Sequence, residues 1–270
     1  MTSMRSARLP DGTKIWCDEP WGVGTVWNEI TAYFLSGESV SAGEVVFDVG
    51  ANIGLFSLAA FRQSEGRARI WSFEPIPSTC AILEANARRF DPEQSQWHTV
   101  RAGLGERNEI AVLHYFPRLS VLSGRHRNAA RAKHEFDEVL SQERIGEPLE
   151  FINAVPRPLR RSLGRAIGFI VLRTRPVAAQ IWTLSDALKK LKVEQVDWLK
   201  VDVEGAELDV LRGVDERDWP RIRRVVCELE SSEMGEEATI LLQNAGFRVE
   251  MQQNPIIRGE HLKLLFAWRE

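Results

Sequence analysis

The run Val45-Val46-Phe47-Asp48-Val49-Gly50-Ala51-Asn52-Ile53-Gly54 decides the fold class of this 270-residue chain. An apolar stretch meets one acid, then two glycines four residues apart, then the helix-favouring Leu55-Phe56-Ser57-Leu58-Ala59-Ala60. That pattern predicts a buried strand, a tight glycine turn and a helix entered from its N-terminus. Glycine at each end of the turn allows unusual dihedrals and a close approach of a ligand to the backbone. The free N–H groups at the helix start favour an anionic or carboxylate group. A turn of this kind is also found as a plain structural loop, so it needs support from elsewhere in the chain.

The next segment supplies some. Residues 68–73 read as a second strand, and Glu74 stands at its C-terminal end, 24 residues after Gly50. An acid about 20 residues past a glycine turn, at the tip of the neighbouring strand, can accept hydrogen bonds from ribose hydroxyls. The other reading of Glu74 is a capping carboxylate ahead of Pro75 and Pro77. The turn lacks the third glycine of dinucleotide-binding loops, and there is no Gly-Lys-Ser/Thr phosphate loop. The spacing suits an adenosine ligand without a pyrophosphate.

Length and composition bound the remainder. A hydrophobic fraction of 44% supports a sizeable core in one large α/β domain, or a domain with an insertion. The net charge of −3 says little about partners. Cys17, Cys80 and Cys227 form no Cys-x-x-Cys pair and are expected as reduced core thiols of a cytoplasmic protein. No apolar signal core follows Met1 and no window is long enough to span a bilayer, so a soluble protein is expected.

Residues 1–44 are expected as an N-terminal cap: a short hairpin about Asp11-Gly12, then a helix over 26–35 bearing Glu29. The core alternates strand and helix from residue 45, with a helix over 78–90 and a strand over 97–101. Gly103 and Leu104 follow that strand in a glycine loop on the ligand side, where they border an adenine ring or merely turn the chain. The rhythm breaks at 117–180, a segment with twelve Lys/Arg against six Asp/Glu, hence +6 against −9 for the rest. Three readings of it stand: a lid for an anionic or carrier-bound substrate, a membrane-surface helix, and a solvated insertion over the sheet.

The alternation then resumes. Thr183 to Asp186 fits a capping box, and residues 196–201 and 224–228 read as strands. A helix over 233–244 closes at Gly246. The last two strands, over 247–250 and 262–268, are joined by too short a loop for a crossover and are expected to be antiparallel neighbours.

Lys200, Asp202, Glu204 and Glu207 crowd one strand end and the helix after it, with Glu228 and Glu230 at the next strand end. Consecutive strand ends of a parallel sheet meet over one crevice. A lysine in an apolar strand needs an acidic partner. Asp202 or Glu204 then contacts the amino-acid end of a cofactor or takes a proton from substrate; a structural ion pair with helix caps is the alternative. His261, in the loop before the last strand, is within reach of such a site. Oxygen ligands of this kind suit Mg²⁺, but no spacing demands a metal and none is expected.

Phe47 to Gly54, Phe73-Glu74-Pro75 and the run Leu199-Lys200-Val201-Asp202-Val203-Glu204-Gly205-Ala206-Glu207 resemble the signature motifs of FkbM-type S-adenosylmethionine-dependent methyltransferases. The resemblance covers about 45–116 and 180–268. Tyr115-Phe116-Pro117, Trp182 to Asp186 and Asp218-Trp219 are similar, more loosely, to a branch attached to nonribosomal-peptide and polyketide pathways. It implies an α/β class I methyltransferase fold, a Rossmann-like seven-stranded sheet with the last strand antiparallel, carrying the basic insertion. It implies O-methylation of a hydroxyl on a natural-product or sugar-like acceptor, free or carrier-bound. Asp48, Gly50, Asn52 and Gly54 would hold the methionine part and Glu74 the ribose; Ala51, Gly103 and Leu104 are further candidates on the cofactor side. Asp202 stands as base, beside Lys200 and Glu204, with His261 as the second candidate. An NAD-linked oxidoreductase and a noncatalytic module docking a carrier domain or membrane are the competing readings. Nucleic acid is not expected as a partner, since the basic residues lack interleaved aromatics.

Overall fold

Five parallel strands form the heart of the molecule, two of the central ones buried on both faces. The computed structural model describes residues 4–20, 23–34, 39–116, 174–253 and 263–269. The strands are β3 (Val45–Val49), β4 (Arg69–Phe73), β5 (Trp97–Val100), β9 (Val196–Val201) and β10 (Ile222–Leu229). All five residues of β3 and all six of β9 are buried. Near-continuous burial is the expected signature of a parallel strand covered on both sides.

Two antiparallel strands, β11 (Arg248–Gln253) and β12 (Lys263–Trp268), complete a seven-stranded sheet of order β11-β12-β10-β9-β3-β4-β5. The last strand, β12, inserts between β10 and β11 and runs antiparallel to both. This is the seven-stranded sheet with an antiparallel last strand that the resemblance implies.

Alternate residues feed two separate cores. On one face Val46, Ile70, Trp198 and Val226 pack under α1 (Val23–Ile30), α2 (Leu55–Gln63) and α3 (Pro77–Phe90). On the other, Phe47, Phe73, Leu199 and Cys227 pack under α4 (Leu184–Leu191), α5 (Glu207–Arg212) and α6 (Ser232–Asn244). Helix starts follow the sequence: Thr183 and Ser231 accept the N–H of Asp186 and Met234 through their hydroxyls. The three cysteines are free and buried.

The N-terminal segment forms the hairpin of β1 (Arg5–Arg8) and β2 (Lys14–Cys17). The expected helix over 26–35 begins earlier, at Val23, and tightens into a 3₁₀ turn over Thr31–Phe34. Val23 and Ile30, seven apart, both bury, and so anchor that earlier start. A further finding is a small sheet of order β6-β8-β7, made of β6 (Gly103–Leu104), β7 (Glu109–Tyr115) and β8 (Arg175–Trp182). Tyr115 and Arg175 are register partners, so the chain leaves β7 and re-enters β8 at one point. Residues 117–173 of the basic segment, and His261, lie outside the described residues.

Candidate active site

The strand order reverses between β3 and β9, and the C-terminal ends of those strands open the crevice where α/β sheets bind ligands. The turn after β3 is wedged into this point. The N–H groups of Gly50 and Ala51 donate to the carbonyl of Phe73 at 3.1 and 3.0 Å, and that of Asp202 donates to Val49 at 3.1 Å. A Cβ on Gly50 would stand 1.8 Å from the Asp202 carbonyl oxygen, and Gly50 has φ +77°. Both demands exclude a side chain. Gly54 caps α2 with φ +90°, and a Cβ there would meet Leu83 at 2.6 Å and Trp97 at 2.9 Å. Asn52 between them has φ 50°, a left-handed conformation asparagine tolerates.

Asp48 is fully buried. Its Oδ2 accepts the Ser57 hydroxyl at 2.6 Å, and Ser57, Ser72 and the Trp97 indole N–H continue a buried network. Its Oδ1 faces the Lys200 ammonium at 3.3 Å. The side chain is turned away from the crevice, so what Asp48 contributes there passes through Lys200.

Lys200 is buried and meets three acceptors: Asp48, the Asp202 Oδ2 at 3.2 Å and the Gly50 carbonyl at 3.2 Å. Burial alone would lower its pKa, but Asp202 and Asp48 more than offset this and raise it above the ordinary value. The ammonium is a fixed positive post that ties the glycine turn to the acid beyond β9. It is not a candidate for giving up a proton.

Glu74 is buried beside the turn. One oxygen accepts the N–H of Ile76 at 2.8 Å and the other that of Asn52 at 3.1 Å. Burial pushes its pKa up to about 8, against those two hydrogen bonds and Lys200. Each carboxylate oxygen retains a free lone pair for a further donor. Gly103 and Leu104 lie close by but are strand, not open loop: both are buried, and a Cβ on Gly103 would meet Ile181 at 2.9 Å and Pro75 at 3.4 Å.

The loop after β9 carries two residues in left-handed backbone, Glu204 (φ 56°) and Gly205 (φ 92°). Glu207, at the start of α5, holds that loop: one oxygen accepts the N–H groups of Val203 at 3.0 Å and Gly205 at 3.1 Å. The Glu207 carboxyl is buried and its pKa is pushed up to about 7, first by burial. Asp202 is open to the crevice, with about a third of its side chain exposed.

Two further residues join the site, and of them only Glu228 stands out in the sequence. Tyr33, from the 3₁₀ turn before β3, lies under the crevice with its hydroxyl 2.5 Å from Glu228 and 3.3 Å from Asp202. Its ring stands edge-on to Phe56. Glu228, at the end of β10, appeared only as one of several acids. An aromatic on an amphipathic helix reads as core, and nothing local marks it as a partner of acids 169 and 195 residues away. Among the described residues no group of three or more His, Cys, Asp or Glu side chains is placed to hold a metal ion, and no helix is long and apolar enough to cross a membrane.

The family model described as the methyltransferase FkbM domain matches residues 48–249. The chain is 31% identical to the 31-O-demethyl-FK506 methyltransferase FkbM of Streptomyces tacrolimicus, over 98% of this chain and 97% of that protein. It is 30% identical to the AMB antimetabolite synthetase AmbE of Pseudomonas aeruginosa, over 80% of this chain but 10% of that much longer protein. Among solved structures, the methyltransferase FkbM from Methylobacillus flagellatus KT superposes with a TM-score of 0.55 at 16% identity, over 88% of this chain and 47% of that one.

Proposed function

Because this chain belongs to the FkbM methyltransferase family and is thereby an S-adenosylmethionine-dependent methyltransferase, we propose that it methylates a hydroxyl oxygen of a natural-product acceptor. The observation that carries the reading is the Gly50 turn pressed against Asp202, with Glu74 buried beside it. The fit to the cofactor is chemical. A turn without side chains leaves room for the amino-acid end, and a carboxylate with spare lone pairs suits two ribose hydroxyls. When bound, S-adenosylmethionine supplies an electrophilic methyl group on a cationic sulfur. Gly50, Ala51, Asn52 and Gly54 would hold its methionine part, Glu74 its ribose, and Gly103 and Leu104 would border its adenine.

The chain's own contribution is then position and charge. Lys200 locks the turn to Asp202, so the two walls of the crevice keep their spacing. Asp202, Glu204 and Glu228 ring the strand ends, where negative charge favours a cationic ligand and a carboxylate can take the acceptor's proton. His261, which falls between β11 and β12 in the sequence, is a further candidate for taking the proton. The acceptor side is assigned to the basic segment 117–180, whose +6 charge suits an anionic or carrier-bound substrate.

The test is transfer itself. The enzyme is incubated with methyl-labelled S-adenosylmethionine and a panel of hydroxylated polyketide and peptide acceptors, each free and tethered to a carrier protein. Label on an oxygen of the acceptor supports the reading. Label confined to nitrogen or carbon overturns the O-methyl assignment.

A further inference from the structure

The acids at the strand ends are not equivalent, and the difference lies in who pairs with whom. The charge of Asp202 is already met by Lys200 at 3.2 Å. Among the described residues no Lys, Arg or His forms an ion pair with Glu228; its close partner is the Tyr33 hydroxyl at 2.5 Å. A phenol carries one proton and donates it to one acceptor. The shorter contact gives that proton to Glu228, and leaves Asp202, at 3.3 Å, facing the phenol oxygen. Glu228 is half-buried at the penultimate position of β10, next to the loop that carries Asp202 and Glu204.

We propose that Glu228 takes the acceptor's proton during methyl transfer, and that Tyr33, from the segment preceding the family domain, is the positioning residue that holds it. The proposal rests on the methyltransferase reading and specifies its base. In the step, the acceptor O–H bond breaks and its proton passes to the Glu228 carboxylate. The electron pair left on oxygen forms the new O–CH₃ bond, while the pair of the broken S–CH₃ bond stays on sulfur. Glu228 then loses the proton to solvent as products leave.

The electrostatics agree with that role. Burial, the charge of Asp202 and, less strongly, Glu29 push Glu228 up, while the Tyr33 hydrogen bond and Lys200 act against them; the balance is about 7. A carboxyl titrating near the working pH both accepts and releases a proton readily. Tyr33 lies outside the span of 48–249 matched by the family model.

The test needs no acceptor. S-adenosylmethionine carries a positive sulfur and S-adenosylhomocysteine does not, while both carry the ribose that reaches Glu74. Calorimetric titrations of each, in buffers of differing ionisation enthalpy near neutral pH, count the protons exchanged, and the difference between the two ligands cancels the Glu74 contribution. The wild-type enzyme is expected to release more protons with S-adenosylmethionine. Glu228→Gln, which still accepts from Tyr33, should abolish that difference, and Tyr33→Phe should move its pH midpoint up by about one unit, as loss of a hydrogen bond to a charged group requires. A difference that persists in Glu228→Gln but vanishes in Asp202→Asn overturns the proposal. Equal proton counts for two ligands that both bind overturn it while leaving the cofactor reading intact; no binding of either overturns both.

Discussion

The Cβ that Gly50 lacks would stand 1.8 Å from the carbonyl oxygen of Asp202. The two strands that flank the crevice therefore touch through bare backbone, and the spacing of the site is set by the absence of a side chain. Gly50→Ala should cost at least about 3 kcal/mol, from a left-handed backbone and a clash that no rotamer relieves. Gly12→Ala is the control, since Gly12 has φ +83° but nothing within 4 Å. It should cost about 1 kcal/mol, the strain alone. Equal effects in denaturant titrations would show that the contact with Asp202 is unimportant.

Removing the Lys200 ammonium leaves Asp48 charged and wholly enclosed. Lys200→Met is expected to destabilise the fold by about 3–5 kcal/mol. Asp48→Asn in the same chain should restore much of this, because an uncompensated charge is then no longer buried. A double-mutant cycle read by chemical denaturation measures the coupling, and strict additivity would contradict the pairing.

Two buried carboxyls, Glu74 and Glu207, and the half-buried Glu228 give the ligand-free protein a definite pH dependence. Glu74 is pushed up to about 8, and Glu207 and Glu228 to about 7, from an ordinary 4.5. Between 4.5 and those values the folded state binds more protons than the unfolded one, so these groups make stability fall as pH rises through the window. The Tm should decline from about pH 5 to about pH 8 by scanning calorimetry, and Glu74→Gln should flatten the upper part of the decline. A Tm that rises across the window would contradict the burial of these acids.

Glu207 holds two backbone N–H groups of the loop that carries Glu204 and Gly205. Glu207→Ala leaves both donors without that acceptor and should cost roughly 2 kcal/mol, with faster amide exchange at Val203 and Gly205. Glu207→Gln, which keeps an acceptor oxygen, should recover most of the protection. Unchanged exchange in the alanine variant would remove Glu207 from its structural role.

Much of this was legible in the sequence because periodicity and turn chemistry are local. The runs 45–49 and 196–201 are mostly apolar with no alternation, the pattern of a parallel strand covered on both sides. Lys200 in such a run forecast an acidic partner, and it has two. What the sequence did not disclose is relative position. Asp48, which the resemblance sets beside the methionine part, has its carboxylate against Ser57 and Lys200, a pairing no local pattern discloses. Gly103 reads as loop, since a two-residue strand has no periodicity and exists only because β8 pairs with it. Tyr33 reaches Glu228 across 195 residues, through a docking of the N-terminal segment that no local pattern encodes.

The central claim is that the Gly50 turn and Glu74 form an S-adenosylmethionine site, and calorimetric titration tests it most directly. S-adenosylmethionine and S-adenosylhomocysteine should each bind saturably to the purified protein and NAD should not. Glu74→Ala should weaken both ligands by about 10-fold or more, the worth of two lost hydrogen bonds. Binding of NAD alone, or an alanine variant that binds S-adenosylhomocysteine as tightly as the wild type, would contradict the account.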